Sequence, residues 1–532
     1  MKTYMKIAGA LAVATMMTAP AMAEDRLVVG GLSTTGTYMD YMRTVYARAA
    51  GSDLIQVPLT SFDNNYELTA LAAESWEQSA DGLTWTFKLR DGLVWSDGEP
   101  LTSHDFVLSL QQAASTGYDF AWYWDFAANI VNWKDVTEGT KPASELAVSA
   151  LDDKTIQVTT ATAKPYLPSV ASLWYPIPKH IFDTVGPDWS TNVDTIISSG
   201  PFTVQSWEKV NNTVVLERNE TYTGPWQAQV AELEMNSALG MPDVALPAFL
   251  AGEVDTAGLN AGQIPFMRNM MPDAIRTEAV FATAYIAFDL EAAPFDNVDV
   301  RRALYYAVNR DELTSTVLKD LAVPAGSILP PGFPGYNAEM AAKAVFDPEL
   351  AKELMASAGY PNGEGFPTVE IWLREEGGTS AFLPSAAQYL QAQFKDILGI
   401  EMNIKIMSGK EWMEGLLGRK NNLFLAPYGY DYLDPSNFFG IFYNGGRHSY
   451  HVEEYDRLVA AADSNPVWEE RLKLYAEVEQ VMIDEGMIVP LTHPVQNTAV
   501  SDRLSGATVT PNADGLTPTG TMLFANTHIA KN

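Results

Sequence analysis

The stretch Tyr-Gly-Tyr-Asp-Tyr-Leu-Asp-Pro-Ser-Asn-Phe-Phe, residues 428–439, sets two aspartates three positions apart among three tyrosines, directly after the apolar run Leu-Phe-Leu-Ala-Pro. Asp431 and Asp434 could form a paired-carboxylate catalytic centre, contribute to a metal site, anchor a charged ligand, or shape a turn. A glycosidase-like pair works only at particular carboxyl separations, which spacing in sequence does not fix. With 66 acidic residues in the chain, close pairs also arise by chance. Asp434 precedes Pro435, the composition of a turn whose aspartate bonds locally. For Asp431 the choice stays open at this point: a carboxylate at a strand end could accept a charge-assisted hydrogen bond from a primary ammonium. Main-chain pairing along Tyr428, Gly429 and Tyr430 would add affinity that is indifferent to side-chain identity.

A second set, His448-x-x-His451 with Glu454, has metal-ligand residue types at short spacing. The same residues read rather as a helix start with His451, Glu453 and Glu454 solvated in its first turn. Catalytic patterns are missing: there is no G-x-S-x-G, no H-E-x-x-H and no G-x-x-x-x-G-K-[ST]. No enzyme chemistry, cofactor or metal is expected.

The elements that must position Asp431 follow from the rest of the chain. At 532 residues, with 47% apolar and 19% charged residues, the chain is long enough for more than one domain and for a sizeable core. Residues 1–23 place Lys2 and Lys6 before an apolar run from Ile7 and end in Ala21-Met22-Ala23, the layout of a cleaved secretory signal peptide. There is no cysteine, hence no disulfide, no thiol chemistry and no lipid attachment behind the signal. A soluble protein free in a periplasm is expected, and a monomer. The net charge of −32 disfavours nucleic acid and anionic lipid as partners.

The N-terminal half is strand-rich. Leu27 opens a strand that runs into a Gly/Ser/Thr loop containing Ser33, and 83–90 alternate as a strand between Asp-Gly turns at 81–82 and 91–92. A helix is expected from Ser103, with Ser103 as its N-cap. Residues 154–161 and 202–219 read as further strands. After Asp299 helices at 300–313, 347–360 and 385–399 alternate with strands at 368–373 and 401–407. That alternation predicts α/β layers around mixed sheets. The aromatic runs 121–133 and 172–176 read as core packing or, alternatively, as platforms for sugar rings.

The stretch 72–106 resembles the signature of the peptide/nickel-type extracellular solute-binding proteins, family 5. The matching positions are Ala73 and Trp76, Asp81-Gly82, the strand ending in Arg90, Trp95, Asp97-Gly98, Pro100, Thr102 and Asp105. Residues 198–222 and 287–313 are similar to two further landmarks of that family, and Tyr428-x-x-Asp431-x-x-Asp434-Pro435 to the end of its ligand-facing strand. The resemblance covers essentially the whole chain beyond the signal peptide.

It implies an α/β, two-lobed periplasmic binding protein fold, type II in its large three-subdomain form, with mixed sheets and a central ligand cleft. The expected segments are 24–59 of lobe I, an inserted signature subdomain at 60–195, 196–285 of lobe I, lobe II at 286–497, and a C-terminal return to lobe I at 498–532. The lobe crossings are expected near Tyr285–Asp289 and Thr492–Thr498. In family members that bind peptides the first aspartate, here Asp431, pairs with the peptide α-ammonium, with Tyr428, Gly429 and Tyr430 beside it. Many members carry Trp where this chain has Tyr428. Ser33 joins the ligand-facing set. Arg374 and Arg419 are the nearest candidates for a ligand carboxylate, set against simple surface solvation. The implied function is delivery of short peptides, or related ammonium-bearing solutes, to the permease subunits of an ABC importer. An oligosaccharide ligand is the alternative, and a secreted hydrolase using Asp431 and Asp434 a more distant one.

Overall fold

The structure is a computed structural model in which residues 25–30, 36–44, 47–115, 118–375, 381–506 and 527–529 are described. The expected signal peptide, Ser33 and most of the C-terminal segment lie outside these residues.

The signature residues build an antiparallel four-stranded sheet, in the order 73–78, 84–89, 155–159 and 148–152. Along Thr84–Leu89 alternate residues Trp85, Phe87 and Leu89 turn inward, as a strand with one packed face requires. Trp95 is wholly buried behind the Asp97-Gly98 turn, and its N–H bonds the Glu99 carbonyl. The following helix, Ser103–Ala113, has Thr102 rather than Ser103 as its N-cap. Asp105 Oδ2 accepts from the Thr102 N–H at 2.7 Å, closing the helix start, while the Ser103 hydroxyl donates to the Asp152 carbonyl. Ser103 was the less suited cap because its side chain is committed to the sheet.

Thr60–Phe62 with Leu68–Ala70 and Leu504–Gly506 with Thr527–Ile529 make two short separate pairs, and twelve further strands form one large curled sheet among the described residues. Its centre is the long strand Ile488–Val500. One end of that strand, Ile488–Thr492, pairs with Ala284–Ala287, and the other end, Asn497–Val500, pairs with Thr256–Leu259. Arg26–Gly30, Glu232–Asn236 and the 202–218 hairpin continue the sheet on the 256–259 side. On the 284–287 side lie Leu423–Gly429, Val369–Arg374 and Met402–Met407. The partners of the long strand change between Ala279 and Ala282 on one neighbour and around Thr492–Val495 on itself. This is the two-lobed type II binding-protein fold, mixed α/β with separate cores around 27–230 and 284–491.

The helices of the second lobe show why they form. Leu383–Leu398 buries Leu383, Ala386, Ala387, Leu390, Phe394 and Leu398, one stripe at helical spacing. It stops at Gly399, whose φ of 71° and closeness to the Asn362 carbonyl exclude any side chain. The expected helix over 300–313 is instead broken. Val298–Tyr306 ends at Ala307, and Asn309 caps a new turn by accepting from the Glu312 N–H at 3.1 Å. The asparagine offers the backbone an alternative to continuing the helix. No helix among the described residues is long and apolar enough to cross a membrane.

Candidate ligand-binding site

Leu423–Gly429 is buried along most of its length, flanked by Ala282–Phe288 antiparallel and by Val369–Arg374 parallel. Such a strand reads as a continuous apolar run because both faces are covered. Its carboxyl end and that of Val369–Arg374 open into a cleft of about 970 Å³, the usual place for ligands in open α/β sheets. Tyr428, Gly429, Tyr430, Asp431 and Arg374 all line this cleft. The facing wall comes from the first lobe, with Arg48, Asp53, Asp63, Trp122 and Tyr175 among its residues.

Asp431 sits where the strand leaves the sheet. Its N–H donates to Asn437 Oδ1 at 3.0 Å, which fixes the backbone. Tyr428 Oη and Asn437 Nδ2 both donate to its Oδ2, at 2.9 and 3.2 Å. Neither donor takes Oδ1. Burial pushes the carboxyl above its ordinary range, and Asn437, Tyr428 and the charge of Arg447 oppose that rise. The anion is thus positioned by neutral donors but not neutralised, the condition in which an incoming cation gains most.

The backbone beside it is partly open. Tyr430 N–H donates to the Phe281 carbonyl, and Ala282 lies opposite Gly429. In an antiparallel ladder alternate residues bond the neighbour, so Tyr428 and Tyr430 face Phe281–Thr283 while the Gly429 N–H and C=O point the other way. The sequence reading offered all three residues for main-chain pairing. Geometry leaves Gly429, since Pro427 has no N–H to offer.

Asp434 has a different fate. It accepts from the Ser436 N–H at 3.0 Å, the local turn bond expected, but both oxygens also meet Arg471 in a buried bidentate pair at 2.6 and 2.9 Å. The sequence reading missed Arg471, which lies 37 positions away. With Asp434 so engaged, Asp431 and Asp434 do not face one open site as a hydrolytic pair. The histidine set is likewise dispersed. His448 is buried, its Nε2 2.7 Å from Tyr285 Oη and its ring stacked on Phe442, while His451 pairs with Glu291 and Glu454 with Arg457.

Of the two arginines singled out, Arg374 lines the cleft with its guanidinium 5.6 Å from the Trp412 ring centre. Arg419 instead pairs with Asp289 and Glu291. Among the residues that sequence reasoning passed over is Arg447, which also lines the cleft. Its only signal was its place beside His448, which had drawn notice for metal binding. The aromatic runs are mostly core: Tyr123, Trp124, Trp133 and Trp174 are fully buried, while Trp122 (41% exposed), Phe126 and Tyr175 line the cleft.

Two lobes around a cleft, with a carboxylate held at a strand end inside it, are the arrangement of a solute-binding protein. The chain belongs to the bacterial extracellular solute-binding proteins, family 5, whose middle region matches residues 67–450. It is 30% identical to the periplasmic oligopeptide-binding protein OppA of Salmonella typhimurium over 86% of this chain and 84% of that protein. It is 28% identical to the probable deoxycholate-binding periplasmic protein YgiS of Escherichia coli, over 81% of each. In fold it is similar to the murein tripeptide binding protein MppA in its unliganded open form, with a TM-score of 0.79 and 21% identity over 96% of this chain and 98% of that one.

Proposed function

We propose that this protein captures short peptides, or related solutes bearing a primary ammonium, and hands them to the membrane subunits of an ABC importer. The observation that carries the reading is the Asp431 carboxylate, held through Oδ2 by Tyr428 and Asn437, at the mouth of a strand whose Gly429 main chain has no ladder partner on its cleft side among the described residues. The ligand ammonium meets Oδ1 and the first peptide group pairs with Gly429. Relatives named for oligopeptides and a murein tripeptide support a peptide over a sugar, and so does the burial of most candidate stacking rings. The lobes, with boundaries as read from the sequence, close over the ligand by bending at the two crossing strands. Closure removes the charge pair from water and presents a new surface to the permease. The protein acts as a periplasmic monomer, and no covalent step is involved.

Mass spectrometry of what the purified protein retains, followed by thermal-shift titration with peptides, tests this. Ligand in excess over its Kd raises Tm. Retention of a sugar or a steroid, with no shift from any peptide, would overturn the reading. Asp431→Asn lowers peptide affinity by roughly 2–5 kcal/mol, since a buried charge loses its partner. Unchanged affinity in calorimetry would make Asp431 a purely structural residue.

A further inference from the structure

We infer that the second lobe carries a binding site of its own, set apart from the interlobe cleft and independent of how that cleft is used, which takes a small ammonium with an apolar tail on Glu479.

A cavity of about 430 Å³ lies between the helix Trp468–Asp484 and residues 335–339, and it shares no lining residue with the cleft. Leu472, Tyr475, Ala476 and Glu479 stand on one stripe of that helix, at the i, i+3, i+4 and i+7 spacing of a common face. Phe439, stacked on Tyr475 at 5.4 Å, and Tyr336 complete an apolar wall. The lining carries two carboxyls, Glu479 and the exposed Glu339, and no Lys, Arg or His among the described residues. Such a lining repels an anion and attracts a cation.

Glu479 differs from other buried carboxyls. Asp434 meets Arg471 and Asp255 meets Arg503, while Asp105 closes a helix start. Glu479 is only 3% exposed; its Oε1 accepts from the Ser327 hydroxyl, and its Oε2 has no hydrogen-bond partner among the described residues. Lys343 is close enough for its charge to be felt, but its ammonium donates to Gln480 Oε1 and Met340 Sδ. Burial accordingly pushes the carboxyl up to about 7, against the Ser327 bond and the Lys343 charge. A buried carboxylate in that condition gains most from a cation that brings its own N–H donors. The wall of Leu472, Ala476 and Phe439 beside it suits an apolar tail. An apolar cavity of ~150 Å³ already holds a benzene ring, so a phenylalkyl ammonium fits the space.

The walls are held in place. Ser327 Oγ also accepts from the Leu329 N–H at 3.0 Å, and Thr283 Oγ1 donates to the Ile328 carbonyl at 2.7 Å, which ties this loop to Glu479 and to the sheet. Further along, Gly335 has a φ of 86°, and a side chain there would begin 2.6 Å from Pro435 Cγ, so the loop lies directly against the chain behind it. Phe439 and Tyr475 belong to one core of the second lobe, with Tyr336 packed on it, so opening and closing the lobes leaves the cavity's walls together.

The test uses the full chain carrying Asp431→Asn, which removes the cleft carboxylate as a competing ammonium site. Two probes of equal size, 2-phenylethylammonium and the neutral 2-phenylethanol, are titrated by ligand-observed NMR at about pH 8, where Glu479 is anionic. The ammonium binds at least ~10-fold more tightly than the alcohol. Adding Glu479→Gln brings the two within ~2-fold of each other. Ala476→Leu, which fills the cavity, weakens both by ~10-fold or more and serves if the glutamine variant folds poorly. In crystals soaked with the 4-bromo derivative of the ammonium, the anomalous peak of the bromine lies between Tyr336 and Leu472. Equal affinity for the two probes, an ammonium preference that survives Glu479→Gln, affinities that Ala476→Leu leaves untouched, a bromine found only in the interlobe cleft, or no binding of either probe overturns the inference.

Discussion

Asp431 and Asp434 sit three residues apart and do opposite work, and what separates them is where their counter-charges lie. Arg471 neutralises Asp434 within the protein, whereas Asp431 has two neutral donors and a more distant arginine. Proton-linked binding follows. In the free protein burial raises the Asp431 carboxyl above 3.8; an ammonium beside it stabilises the anion and lowers its pKa. The free protein therefore holds more proton than the complex within that window, so peptide affinity climbs as pH rises through it and levels off above. It declines again as the ligand amine loses its charge, near a pKa of about 7.7–8.0. Calorimetry in buffers of different ionisation enthalpy reads the proton release at the acid side. A binding enthalpy independent of buffer throughout that range would mean that Asp431 does not meet the ligand's charge.

At the level of elements, most of what positions the site was legible in the sequence. The buried run Leu423–Gly429, the Asp-Gly turns and the helix ending at Gly399 each follow from local pattern. Asp431 could be picked out because a strand ends there with a carboxylate. Arg447 could not, because its place in the cleft depends on Trp412 and Tyr428 converging on it from separate elements. The Thr102 cap and the break at Ala307 were missed for the reverse reason, in that a single side-chain bond decided between neighbouring positions. Arg471 shows how a remote element holds the ligand loop. From the helix Trp468–Asp484 it grips Asp434 and thereby fixes the chain just after Asp431. Removing one member of a buried pair costs about 3–5 kcal/mol because the other charge stays behind. Arg471→Met accordingly lowers the unfolding free energy by about that much in urea titration, whereas the double change with Asp434→Asn recovers part of it. An additive double variant would show that the two side chains do not act as a pair.

Across the whole molecule, the ligand loop belongs to both lobes at once. Asp431 follows a strand of the second lobe, yet the next residue, Tyr432, is buried in the first lobe's core. Its ring stacks on Tyr166 at 5.5 Å and meets Tyr123 edge-on at 6.2 Å, and the Leu433 carbonyl accepts from Ser169 Oγ at 3.1 Å. The lobes are thus joined by a side-chain wedge next to the anchor as well as by the long strand Ile488–Val500. A hinge motion that opened the cleft at this point would have to withdraw the ring from its aromatic cluster, so opening is expected to pivot about Tyr432. Truncation of a large buried ring costs about 3–5 kcal/mol. Tyr432→Ala therefore lowers stability on that scale, and it also frees the lobes, giving a larger radius of gyration for the ligand-free protein in small-angle X-ray scattering and weaker peptide binding. Tyr432→Phe keeps the ring, loses the hydroxyl contact with Ser436 and leaves both readouts near wild type. If Tyr432→Ala destabilises the protein but changes neither the radius nor the affinity, the ring is core filling alone and the pivot lies elsewhere.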